Sequence, residues 1–139
     1  MGAIEERNKA IVRRFNEEFI QGHDDAVFEA TIADGFVNHS ANPGAAPDRD
    51  GAYAWFTTVL RSAFPDLEVT VHDQLAEGDQ VVTRKSYTGT HRGAFLGVPA
   101  TGRRVQFGVI DIIILRDGRY VEHWANADLF GLLAQLRDG

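Results

Sequence analysis

The chain has 139 residues, 44% of them hydrophobic, which suits one compact domain over residues 1–139 and gives no argument for two. Its net charge of -6 argues against nucleic acid as a partner, because phosphate binding depends on clustered Lys and Arg. The absence of cysteine excludes disulfides and thiolate chemistry, and without a signal-like or membrane-length apolar run we expect a cytoplasmic protein that makes no membrane contact.

The chain begins with helical periodicity. A first amphipathic helix is predicted from apolar residues at helical spacing, namely Ile4, Ile11, Phe15 and Phe19. Gly22 is expected to end it, and Asp24 or Asp25 to cap a short second helix through AVFEATI.

A polar segment separates this region from a third helix. The segment is rich in Gly, Pro, Asn and Asp and is expected to be a loop, with a short extended piece at Phe36 and Val37. Asp48 or Asp50 is the expected start of the third helix, which Pro65 cannot continue.

The second half alternates with a period of two residues, which predicts strands. Two hairpins are expected, LEVTVHDQLA with QVVTRKSYTGT, and RRVQFGVIDIIIL with RYVEHWANA. The second hairpin turns at Asp117 and Gly118, a pair suited to the positive φ of tight turns. A last short helix, DLFGLLAQL, is expected to be capped by Asp128.

Helices followed by a strand meander indicate an α+β fold, with helices on one face of a curved antiparallel sheet. In VQFGVIDIIIL, the residues that alternate toward one face of the strand and those that alternate toward the other are both mostly apolar. This strand is therefore expected to be covered on both faces, by helices on one side and by a cavity or a partner subunit on the other.

Several motifs resemble the SnoaL-like polyketide cyclase family of the nuclear transport factor 2-like superfamily. They are AFPDL, AEGDQV, GTHRGAFLGVPATGR, DGRYVEHW and DLFGLLAQL, in this order. The resemblance implies a cone-shaped α+β barrel whose N-terminal helices and highly curved sheet enclose a deep apolar pocket, usually in a homodimer. It also implies ring closure of a polyketide by an intramolecular aldol reaction, without a metal or other cofactor.

The catalytic pattern of these cyclases is only partly present. The position of their catalytic aspartate is Ala125 here, and the position of their pocket histidine is Asp111. Their pocket asparagine matches Asn38. We therefore expect a carboxylate across the cavity from its usual position.

Asp111 is the predicted catalytic base because an acid within an apolar strand is costly unless it is paired or functional. The alternatives are an ion pair with an arginine such as Arg84, or a place near a sheet edge. If Asp111 faces the pocket, alternation sends Phe107 and Val109 there too, as part of an apolar substrate-binding wall.

His123 lies in the strand that the second hairpin pairs with that of Asp111, so the two side chains are expected to form an acid/base pair that shares a proton. The alternative is a half-buried histidine satisfied by backbone groups. Trp124 is included in the predicted substrate-binding set, although regular alternation turns it toward helices or a partner subunit.

The other predicted substrate-binding residues are Asn38 and His39, in a loop at the cavity mouth, and Phe19, as core or pocket wall. Asn and His in such a loop also form local turn hydrogen bonds. The histidines lack the spacing of a metal site, so no metal is expected.

The leading functional hypothesis is a cofactor-independent acid/base enzyme that closes a ring in a hydrophobic carbonyl compound. One alternative is an epoxide or ester hydrolase, or a hydratase, in which Asp111 activates water. The other is a non-catalytic protein that binds a small apolar ligand, an interpretation favoured by Ala125 at the expected acid position.

Overall fold

The computed structural model describes residues 2–137, and its N-terminal half is helical. The helices are α1 (Ala3–Arg14), α2 (Asp25–Thr31), α3 (Arg49–Ala54), α4 (Arg61–Ala63) and α5 (Leu129–Arg137). Helix α1 continues as a π-helical segment over Phe15–Gln21, and a second one over Trp55–Leu60 joins α3 to α4. The apolar spacing predicted the helices but not the π-helical segments, because such short segments barely change the position of the apolar stripe.

One five-stranded sheet, ordered β1-β5-β4-β3-β2, packs against the helices. Its strands are β1 (Ile32–Asn38), β2 (Glu68–Glu77), β3 (Gln80–Thr90), β4 (Arg104–Arg116) and β5 (Arg119–Ala127). Strands β2 to β5 form the expected antiparallel meander. Strand β1 pairs in parallel with β5, so the sheet is mixed at this edge, where only a short extended piece was expected.

The predicted caps and turn are present. Asp24, Asp48 and Asp128 accept backbone N–H hydrogen bonds at the starts of α2, α3 and α5. Between β4 and β5, Asp117 and Gly118 have φ of 52° and 77°, the left-handed region that such a turn requires. These local signals fix where the helices begin and how the second hairpin pairs.

Strand β4 alternates between a buried and an exposed face. Its inward side chains are Val105, Phe107, Val109, Asp111, Ile113 and Leu115. On the opposite face Ile110 is 50% exposed. Within the single chain, the helices and the cavity therefore both lie on the inner face of β4, and its outer face is partly exposed.

Strand β5 contains a bulge that determines which of its residues face inward. Ile114 pairs with Glu122 but the next residue, Leu115, pairs with Tyr120, so Val121 is the extra residue. The bulge lets Tyr120 and His123 line the same cavity although they are three positions apart. Beyond it, regular alternation places Ala125 on this face as well.

Within residues 2–137, none of the helices has the length and hydropathy needed to cross a membrane.

Candidate active site

A cavity of about 190 Å³ lies between the inner face of the sheet and the helices. Both π-helical segments line it, the first through Phe15, Asn16 and Ile20, and the second through Trp55, Phe56 and Leu60. The sheet contributes the opposite wall, which includes Phe107, Val109 and Ile113. Mostly apolar walls with a few converging polar groups are typical of small-molecule sites.

A buried ion pair lies on the sheet side of this cavity. The Lys85 ammonium is 3.1 Å from Asp111 Oδ2, and both side chains are about 95% buried. Lys85 also donates a hydrogen bond of 2.7 Å to Oδ1 of Asn16, which belongs to the first π-helical segment on the helical side of the cavity. Asp111 Oδ1 is buried and has no hydrogen-bond partner within residues 2–137. The carboxylate thus has one neutralised oxygen and one free oxygen.

The surroundings keep Lys85 charged. Burial alone lowers the pKa of its ammonium, but the charge of Asp111 and the hydroxyl of Tyr87 outweigh burial, so that the pKa is raised above its usual value. An ammonium next to Asp111 offsets the cost of burying a carboxylate in an apolar wall. This pairing explains how the strand tolerates an acid at this position.

Two phenol groups line the same cavity. Burial raises the pKa of Tyr87, and burial together with the charge of Asp111 raises that of Tyr120 well above its ordinary value. Both hydroxyls therefore stay protonated at neutral pH. They are hydrogen-bond donors that a carbonyl or enolate oxygen in the cavity can use.

His123 reaches the cavity from β5, with a different partner from the one expected. Its Nδ1 is 2.9 Å from Asn38 Oδ1, and that oxygen also accepts a hydrogen bond of 3.0 Å from the Ser40 backbone N–H. Burial, with a smaller effect from the Lys85 charge, lowers the pKa of His123 to about 4 despite the opposing charge of Asp111. The imidazole is therefore neutral at pH 7.

The structure brings together most of the predicted site. Asp111, His123, Asn38, Phe107 and Val109 all line the cavity. Asp111 and His123 nevertheless make separate contacts, the first with Lys85 and the second with Asn38, so they do not form the expected hydrogen-bonded pair.

Three predicted substrate-binding residues lie outside the cavity wall. Phe19 is fully buried in the helical core, with its ring 5.0 Å from that of Phe28. His39 is exposed, stacks on Trp124 at 4.5 Å and contacts Glu122 at 3.0 Å. Alternation after the bulge puts Trp124 on the outer face, and His39 follows it there. These three residues are therefore not part of the proposed site.

The ion-pair partner of Asp111 was not predicted from the sequence. The anticipated partner of Asp111, Arg84, points outward and contacts Asp73 at 2.7 Å. The actual partner, Lys85, shares its strand parity with the buried Thr83 and Tyr87, and this alternation was the available signal. A lone lysine in a polar stretch is usually solvated, so the sequence alone does not single out Lys85 as a cavity residue.

Ala125 is directly opposite Asp111 on the neighbouring strand. Both residues line the cavity. Side chains of directly opposed residues have Cβ atoms only about 5 Å apart. A carboxylate at 111 can thus serve nearly the same part of the cavity as one at 125.

No group of three or more His, Asp or Glu side chains within residues 2–137 is arranged to hold a metal ion.

Comparisons with known proteins agree on the family. The model of the SnoaL-like polyketide cyclase family matches residues 10–136. The aklanonic acid methyl ester cyclase DauD of Streptomyces sp. (strain C5) is 33% identical, over 91% of this chain and 79% of that protein. The corresponding cyclase DnrD of Streptomyces peucetius is also 33% identical, over 91% of this chain and 88% of its own.

Solved structures match the fold over nearly the whole chain. A protein assigned to the SnoaL-like polyketide cyclases of Jannaschia sp. CCS1 has a TM-score of 0.85 and 33% identity, covering 100% of this chain and 97% of that one. TsrD from Streptomyces laurentii also has a TM-score of 0.85, at 30% identity, covering 94% and 95%. These findings confirm the expected family and its α+β fold.

Proposed function

Because this chain belongs to the SnoaL-like polyketide cyclase family, whose cyclases it resembles at 33% identity, we propose that it closes a ring in a hydrophobic carbonyl compound by an intramolecular aldol reaction. The proposed reaction is an isomerisation that needs no cofactor. The observation that carries the proposal is the free, buried Oδ1 of Asp111 in a cavity with neutral phenols.

In the first proposed step, Asp111 Oδ1 accepts a proton from the carbon next to a substrate carbonyl. The C–H electron pair moves into the carbonyl to form an enolate, and a hydroxyl of Tyr87 or Tyr120 donates a hydrogen bond to its oxygen. Lys85 stays on Oδ2, where it keeps Asp111 ionised and oriented. Lys85 and Asn16 are therefore positioning residues.

In the second step, the enolate carbon attacks another carbonyl of the same molecule. The new C–C bond forms as the attacked carbonyl becomes an alkoxide, which takes the proton back from Asp111. Atoms and charge balance, and Asp111 returns to its initial form. An apolar cavity favours this sequence because it excludes water that would compete for the enolate and the proton.

The test uses 2,6-heptanedione, a short diketone that can close to a six-membered ring, with product followed by NMR. The wild-type protein is expected to accelerate closure, and Asp111→Asn to reduce it to the buffer rate while the far-ultraviolet circular dichroism is unchanged. Asp73→Asn, which removes an exposed carboxylate on β2, is the matched control and should keep full activity.

Closure by Asp111→Asn at the wild-type rate would remove Asp111 from the mechanism. A second experiment, with styrene oxide as substrate, tests the hydrolase hypothesis. If the protein leaves the diketone unchanged but opens styrene oxide to its diol in an Asp111-dependent manner, Asp111 activates water and the aldol proposal is wrong.

We also propose that the chain forms a homodimer through the outer face of the sheet. Ile110 is half exposed there, and Ile112, Ile114 and Trp124 lie on the same face. An apolar sheet face of this kind is usually covered by a partner. Sedimentation equilibrium should give twice the chain mass for the wild type and the single mass for Ile110→Lys. A monomeric wild type would contradict this proposal.

A further inference from the structure

The contacts around His123 fix which of its nitrogens carries the proton. A backbone N–H is always a donor, so the hydrogen bond from Ser40 identifies the atom of Asn38 that it meets as the amide oxygen. The same oxygen lies 2.9 Å from His123 Nδ1. Because an amide oxygen only accepts, Nδ1 must carry the proton. In the neutral ring, Nε2 is then left as an acceptor.

This arrangement is held by the backbone. Asn38 and His123 are paired residues of β1 and β5, and the N–H of His39 donates to the His123 carbonyl at 2.8 Å. One residue further, Ser40 Oγ accepts a hydrogen bond of 2.8 Å from the Ala125 N–H. The three consecutive residues 38–40 therefore all hydrogen-bond to β5, at His123 and at Ala125, and hold the imidazole in place.

We propose that Asn38 is a positioning residue that makes His123 Nε2 an obligate acceptor in the cavity, so that the site selects ligands that present a hydroxyl group as an enol or a phenol. The inference rests on the proposed active site and adds a ligand class to it. Asp111 Oδ1 is a second acceptor in the same cavity. A ligand that carries only carbonyl or ether oxygens has no hydroxyl to donate to Nε2, and an acceptor without a donor is costly in a buried site.

The size of the cavity limits the ligand further. A cavity of about 150 Å³ is sufficient to bind benzene, and this one measures about 190 Å³. Its enclosed part therefore suits one or two fused rings. The neutral state of His123 agrees with this selection, because burial lowers its pKa to about 4 and no proton occupies Nε2 at pH 7.

The test compares 2-naphthol with 2-methoxynaphthalene, which has the same rings but no hydroxyl donor, by isothermal titration calorimetry at pH 7. We expect the naphthol to bind about tenfold more tightly, the effect of one additional hydrogen bond of about 1.4 kcal/mol. Equal dissociation constants for the two ligands would overturn the proposal.

Variants of Asn38 separate the tautomer effect from a merely structural one. Asn38→Ala removes the acceptor for Nδ1–H, frees the imidazole to place its proton on either nitrogen, and should reduce the tenfold preference toward unity. Asn38→Asp keeps an acceptor for both His123 and Ser40 but its charge raises the pKa of His123, so it should retain the preference in a titration at pH 8, where the imidazole is neutral. His39→Ala, on the exposed side of the same segment, is the matched control. If Asn38→Ala keeps the full preference, the assignment is wrong.

A spectroscopic readout is independent of affinity. Long-range proton–nitrogen correlation spectra at pH 7 should show His123 with the proton on Nδ1 in the wild type, and a shift of the Nε2 resonance when 2-naphthol binds. A proton on Nε2 in the free protein would overturn the proposal. These binding experiments do not depend on turnover, so they distinguish failure of this inference from failure of the aldol mechanism, which the Asp111→Asn rate tests.

Discussion

Loss of Lys85 should destabilise the fold strongly unless Asp111 is replaced as well. Lys85→Met removes the ammonium that lies 3.1 Å from the carboxylate and leaves a charge in an apolar wall. Breaking a buried ion pair at one partner typically costs about 3–5 kcal/mol, whereas replacing both partners with apolar residues is often close to neutral. The structure therefore predicts a large difference between the single and double variants.

The magnitude follows from the contacts that each variant loses. Lys85→Met leaves the Asp111 carboxylate without its ammonium partner. It also removes the donor of the 2.7 Å hydrogen bond to Asn16 Oδ1. Asp111→Leu leaves the ammonium with only the neutral partners Asn16 and Tyr87. The double variant loses the Asn16 hydrogen bond as Lys85→Met does, so this loss cancels when the four proteins are compared in a double-mutant cycle. We expect a coupling energy of at least about 3 kcal/mol between positions 85 and 111.

Urea unfolding of the wild type, both single variants and the double variant at pH 7, followed by circular dichroism, gives the four free energies of unfolding. The control is Arg84→Gln, next to Lys85 in the same strand, because the Arg84 side chain contacts Asp73 on the surface and lies outside the buried pair. Its free energy of unfolding should change by less than about 1 kcal/mol. If the changes in the free energy of unfolding of the two single variants add up to the change of the double variant, positions 85 and 111 are not coupled and the prediction is wrong.

Other predictions concern acid stability, the position of the carboxylate and helix capping. Since the folded-state pKa of His123 is about 4, below its ordinary 6.5, the unfolded chain binds this proton first as the pH falls. Stability should therefore decline by up to about 3 kcal/mol between these two pH values, and His123→Gln should remove that part of the decline in urea titrations. Ala125→Asp combined with Asp111→Asn should restore part of the ring-closing rate lost in Asp111→Asn, measured by NMR, because the two positions are directly opposed. Asp128→Ala should lower the free energy of unfolding by about 1 kcal/mol through loss of the cap of α5.

Local signals predicted much of the architecture. Alternation located β2 to β5, and the Asp117–Gly118 turn set the pairing of β4 with β5. Strand β1 was underestimated because its sequence, IADGFVN, has poor strand formers at its centre and pairs with a segment that is distant in the chain. Parallel pairing of this kind depends on the tertiary fold rather than on local sequence.

The candidate site was predicted where alternation alone decides orientation. Asp111 faces the cavity with Phe107 and Val109, as the period of two requires. The identity of its partner was not predictable in this way, since Lys85 and Arg84 are adjacent and only the register of β3 shows which one points inward. The bulge at Val121 also decided that His123 joins Tyr120 in the cavity, and no local signal marked it.

The proposed ring closure requires Asp111 to remove a proton from carbon. The most direct measurement is proton NMR of 2-tetralone in D₂O, in which loss of the signal of the hydrogens next to the carbonyl reports base-catalysed exchange without requiring the natural substrate. We expect the wild type and Asp73→Asn to accelerate this exchange and Asp111→Asn to leave it at the buffer rate. Exchange that Asp111→Asn accelerates as well as the wild type would show that Asp111 is not the base.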